Sequence, residues 1–150
     1  MSVELGWKYF FKGDVASAMT RFNQAWLLNP ENGDAFHGFA VVTAQRGGPP
    51  QEAEKYFKIA ASKPGVGSTA LVDYARLLNM LGRHDEAISQ GQGALAISPK
   101  ARNASLQISY AYISKKDAAH ACEWARKAKD NGDALDPPNY LDMVCRTPAN

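Results

Sequence analysis

Two cysteines in 150 residues, Cys122 and Cys145, are too few for a disulfide-framework fold or a four-cysteine zinc site. Charge of one sign is also lacking. The 17 Lys and Arg against 15 Asp and Glu leave a formal +2, which removes the electrostatic case for nucleic acid or an anionic membrane as the default partner. No uncharged apolar run approaches the roughly 18 residues that span a bilayer, and Met1 to Lys12 lacks the basic, apolar and small-residue stretches of a signal peptide. The expectation is a soluble chain, cytoplasmic, or periplasmic if an export signal has been removed. What is present, 45% hydrophobic and 10% aromatic residues, excludes the profile of a disordered segment.

Compared with itself, the chain repeats. Ala18, Ala53, Ala87 and Ala121 are spaced by 35, 34 and 34 residues, and Ala25, Ala60, Ala94 and Ala128 have the same three spacings. Gly13, Gly47 and Gly82 follow at 34 and 35, as do Pro30, Pro64 and Pro99. A period of this length means an array of similar units, here four of them. They span about 1–32, 33–66, 67–101 and 102–134, with 135–150 left over.

Each unit reads as two amphipathic helices. In the first unit Leu5, Gly6, Tyr9 and Phe10 form one buried stripe, and Gly13-Asp14 supplies a turn. Asp14 is placed to cap a second helix with Ala18, Phe22 and Ala25 on its buried side, which stops before Pro30. Gly6 facing Ala18 is expected to let the two backbones approach, with Tyr9 and Phe22 on the flanks. The second unit carries Gly47-Gly48-Pro49-Pro50, a turn one residue longer than the others, expected to splay or rotate its hairpin. A lone hairpin of this kind cannot bury its apolar face, so the units are expected to stack into an all-α, right-handed superhelix. Asp136-Pro137 reads as a cap and first helical residue of a short closing helix, with Tyr140, Leu141, Val144 and Cys145 on one face. No such cap precedes the first unit, so its leading face is expected to meet another surface or a preceding segment.

The run Leu5-Gly6-x-x-Tyr9, Gly13-Asp14, Ala18, Phe22, Ala25, Pro30 resembles the tetratricopeptide repeat, and the resemblance extends from about Ser2 to Asp133. Repeat 2 keeps Phe36, Phe39-Ala40, Gly47, Ala53, Phe57 and Ala60. Repeat 3 keeps Gly82, Ala87, Ala94 and Pro99. Repeat 4 departs at the turn glycine (Lys116) and the large aromatic (Ala125). The phrase from Arg21 to Pro30 is similar to bacterial assembly-factor and lipoprotein members of that family.

The resemblance implies a concave groove, lined by inward positions of each first helix, that binds a peptide or protein segment. Those positions include Trp7, Phe10 and Phe11 in repeat 1, and His37, Val41 and Gln45 in repeat 2. Repeats 3 and 4 add Arg76, Asn79 and Met80, then Leu106, Tyr110 and Ile113. Aromatic anchors with one Arg suit the burial of apolar side chains from a partner. The Lys and Asn set with which some members clamp a chaperone's terminal carboxylate is missing, since Val3, Trp7, Gly38, Asn103 and Gln107 stand in its places. A partner with apolar anchors is therefore expected.

Catalysis, a metal and a cofactor are not expected. His37, His84 and His120 lie in different repeats, and the register brings no Ser, His and Asp together. His120 and Cys122 sit about 200° apart on one helix and cannot share a metal ion. Cys122 faces the next helix, where Cys145 lies, and two readings stay open: a disulfide made in an oxidising compartment, or two buried reduced thiols. Lys115, Lys116, Arg126, Lys127 and Lys129 read as a solvated face, and the lining lacks the basic and aromatic interleaving of an RNA-binding repeat. The function expected is non-enzymatic protein binding, as scaffold or assembly factor. The alternatives are homodimerisation through Trp7, Phe10 and Phe11 of an uncapped repeat 1, and RNA binding.

Overall fold

The computed structural model describes residues 3–146, and among these it is all-α, with nine helices. They pack as two compact units, one ending at Ala70 and the other beginning at Leu71.

The first unit is built from α1 (Val3–Phe11), α2 (Val15–Leu28), α3 (Gly33–Gln45) and α4 (Pro50–Ser62). Asp14 caps α2, its carboxylate accepting from the Ser17 N–H at 3.0 Å, and Asn32 caps α3 through the Asp34 N–H at 3.0 Å. Ala18, Phe22, Ala25, Ala53 and Ala60 are all buried to within 1% of complete. The space above Gly6 is filled by the Phe22 ring and not by Ala18: a Cβ on Gly6 would stand 2.5 Å from that ring. Gly38 meets the same ring from α3 at 2.5 Å, so one phenyl group occupies the room that two glycines leave. The longer turn does not open the second hairpin. Gly47 takes φ +76° and bonds back to the Ala44 carbonyl, Pro50 starts α4, and α3 and α4 pack closely together.

The second unit holds most of α5 (Ser68–Met80), then α6 (His84–Ile97), α7 (Ala104–Ser114), α8 (Ala118–Asp130) and α9 (Tyr140–Cys145). Its two hairpin turns share one hydrogen-bond pattern. Gly82 and Arg83 donate to Asn79 and Leu78, and Lys116 and Asp117 donate to Ile113 and Tyr112. The turn demands a left-handed residue, supplied by Gly82 at φ +77° and, without a glycine, by Lys116 at φ +62°. The size pattern of the first unit is inverted here. Gly91 on α6 leaves a space that Ile108 of α7 fills, at 2.6 Å from a Cβ built on the glycine.

The last helix starts later than the sequence suggests. Asp136 does not cap it; Asn139 precedes Tyr140, and 136–139 form a turn closed by the Tyr140 N–H on the Pro137 carbonyl at 2.8 Å. The reason is Pro138, which disfavours helical geometry at the residue before it. Cys122 and Cys145 are joined as a disulfide, Cα to Cα 4.9 Å, tying α9 to α8.

Candidate binding surfaces

In the first unit the expected inward residues form an aromatic cluster on α1 and α3. The Trp7 ring stacks on Phe11 at 6.0 Å and meets Phe10, Phe22 and His37 at 5.8, 5.0 and 4.7 Å. Phe11 forms the outer layer of the stack and is 79% exposed. Val41 is half-buried and Gln45 exposed. His37 is not available to a partner: it is 4% exposed, between the rings of Trp7 and Phe57. The physical reason is that α3 is packed by α1, α2 and α4, so little of its circumference reaches solvent.

In the second unit the expected residues divide. Arg76 is exposed, and its guanidinium bonds the Asp73 carboxylate one turn earlier at 2.7 Å. Met80 is 77% exposed and Ile113 38%. The other three are committed to internal contacts. Asn79 donates to the backbone and side-chain oxygens of Gln107 at 2.9 and 3.1 Å, and its own oxygen meets His84 Nδ1 at 3.0 Å. Leu106 is buried with Ala125, Ala128, Tyr140 and Val144. Tyr110 donates its hydroxyl to the Asp136 carbonyl at 2.7 Å and sets its ring against Tyr140 at 5.0 Å. The segment 135–145 thus covers Leu106 and ties down Tyr110 on α7, leaving Ile113 as the open residue of the three expected there. Burial pushes the Tyr110 and Tyr140 phenols above the ordinary tyrosine range, and no other influence on either outweighs it.

Two features escaped the sequence reading. Ser109, in the place where repeat 1 has Gly6, is fully buried; its hydroxyl donates to the Ala121 carbonyl at 2.7 Å and lies 2.8 Å from the Tyr140 hydroxyl. Its signal was a polar residue in a small-residue place. The second is a hollow of about 330 Å³ on the first unit, lined by Met19, Asn23, Trp26, Phe36, Phe39 and Tyr56. Counting only inward positions of first helices passed over it, since three of its residues are on α2 and one on α4.

Two of the basic residues near the end are held by carboxylates. Lys115 pairs with Asp85, while Lys127 pairs with Glu123 at 3.4 Å and sits 4.0 Å over the Trp124 ring. Among the described residues no cluster of three or more His, Cys, Asp or Glu is placed to hold a metal ion, and no helix is long and apolar enough to cross a membrane.

Solved structures resemble this one along nearly the whole chain. PilF of Pseudomonas aeruginosa superposes with a TM-score of 0.83 at 19% identity, over 96% of this chain and 66% of that one. The chain carries the tetratricopeptide-repeat fold. MamA matches with a TM-score of 0.72 at 21% identity, over 87% of this chain and 75% of its own. YrrB, a tetratricopeptide-repeat protein with an unusual peptide-binding site, matches at 0.69 and 25%, over 94% and 70%. No known family profile and no curated protein matches the chain by sequence. In repeat terms α1 to α8 are alternating first and second helices, and α9 packs on α8 in the manner of a further first helix.

Proposed function

We propose that the chain is a non-enzymatic protein-interaction module, a scaffold or assembly factor that takes a peptide or protein segment on the apolar inward faces of its first helices. The carrying observation is Phe11, a large apolar ring held out into solvent on a Trp7 base that is itself fixed by Phe10, Phe22 and His37. A ring presented in this way loses little freedom on binding, which favours an anchor role. Met80 and Ile113, with Arg76, offer the second unit's own exposed apolar positions. The three histidines support binding over catalysis, each being held in a separate structural contact: His37 under Trp7, His84 on Asn79, His120 on Asp117. The disulfide supports maturation in an oxidising compartment.

Affinity capture from the source cell's extract tests this, with Phe11→Ala and Met80→Glu variants shown by circular dichroism to stay folded. A partner held by the parent and lost by either variant supports the reading and says which unit holds it. Retention by both sinks it. The same exposed Phe11 favours a second reading, a homodimer through α1. Light scattering that shows a strict monomer across micromolar concentrations removes that reading.

A further inference from the structure

We propose that the hollow between α2, α3 and α4 of the first unit is a docking site in its own right, for a partner segment that inserts one large apolar side chain and carries carboxylates beside it. Four rings and a thioether form its lining. Phe36 meets Phe39 edge to face at 5.8 Å, and Phe39 meets Tyr56 at 5.7 Å, so the walls are braced against one another. Trp26 is 37% exposed, and its chain neighbours Leu27 and Leu28 are exposed as well. Aromatic side chains and Met concentrated around a concavity, with Asn23 as the polar group among them, are the composition of an interface core. The hollow uses none of the residues assigned to the inward faces, so it stands or falls independently of the function proposed above.

Charge beside the lining rings sets the sign of the partner. Lys55 Nζ sits 5.8 Å from the Tyr56 centroid and Lys63 Nζ 5.7 Å from that of Phe36, each ammonium against a ring that lines the hollow. Lys55 has no carboxylate within ion-pair distance among the described residues, and Lys63 is matched by the exposed Glu31 at 3.0 Å. A surface pair of that kind yields readily to another carboxylate. An aromatic hollow can instead receive a quaternary ammonium, but here no carboxylate is among the lining residues and, with Lys63 matched by Glu31, Lys55 leaves a net positive charge beside the walls, so a cationic guest is disfavoured. An apolar anchor flanked by acids gains both the rings and the lysines.

The methionines separate the surfaces experimentally, because Met19 lines the hollow while Met80 lies on α5 and Met143 on α9. With the whole chain labelled at methionine methyl carbons, a blocked Glu-Glu-Leu-Phe-Glu-Glu peptide is titrated and followed by NMR. The expected result is a saturable shift of the Met19 methyl, absent with Ser-Ser in place of Leu-Phe, and about tenfold weaker when the acids are exchanged for lysines. Trp26→Ala should weaken binding by about tenfold. If that variant fails to fold, the exposed Lys55→Glu carries the test, with weaker binding expected. An unmoved Met19 methyl overturns the proposal, as does equal binding of the lysine peptide, or a shift confined to Met80 or Met143.

Discussion

A methyl group placed on Gly38 would stand 2.5 Å from the ring of Phe22, on the neighbouring helix α2. Real Cβ atoms do not approach so closely, so Gly38→Ala must displace a ring that is fully buried and also fills the space above Gly6. Overpacking of this kind costs about 1–3 kcal/mol, measurable by urea denaturation. Phe22→Leu in the Gly38→Ala background should recover part of the loss. Strictly additive single effects would show that the two residues do not share one space.

The bridge between Cys122 and Cys145 closes a span of 23 residues around the turn that carries α9 back onto α8. Replacing both cysteines by serine should lower stability by about 2–4 kcal/mol. Hydrogen exchange should place the loosening in α9 and its covered face on α7, leaving the first unit's protection unchanged. An intact mass showing two free thiols in protein from the native host would contradict the pairing itself.

Ser109 and Tyr140 hold one buried hydroxyl pair. Ser109→Ala leaves the phenol without its partner and should cost about 1–3 kcal/mol, while the double change with Tyr140→Phe should cost less than the two single changes summed. Burial raises the Tyr140 pKa in the folded chain above its unfolded value. The neutral phenol is therefore favoured by folding, and this contribution is complete below about pH 10 and fades as pH rises through the folded value. Thermal melts above that pH should fall less steeply for Tyr140→Phe than for the parent.

Acid acts on different groups. Asp14 and Asp117 cap α2 and α8, and hydrogen bonds from Ser17 and His120 respectively hold their carboxyls below the ordinary 3.8. A depressed folded pKa gives stability that is present above the unfolded value and lost as pH falls through the folded one. Helical circular dichroism during acid titration should decline at higher pH in Asp14→Ala and Asp117→Ala than in the parent. Identical titration curves would show that the caps do not carry the acid response.

The recurring small residues made the helices legible from spacing alone. Ala18, Ala53, Ala87 and Ala121 are each buried to within 1% of complete, because the closest approach between packed helices tolerates nothing larger. The surfaces were legible only in part. Periodicity locates the inward side of a helix but not what a later segment lays upon it, so Leu106 and Tyr110 read as open although 135–145 covers the first and ties down the second. His37 was misplaced for a related reason, since α1, α2 and α4 crowd α3 on more sides than a two-helix picture supplies. The hollow at Trp26 was missed because its rings belong to three helices with no common sequence spacing.

Cutting the loop between α8 and α9 would not release α9. A protease nick anywhere from Gly132 to Asn139 lies inside the span closed by Cys122 and Cys145, so the severed piece bearing Tyr140 and Val144 stays attached to α8 through sulfur. The nicked protein would gain only the mass of one water and keep its cover over Leu106. It would separate into two chains only after reduction.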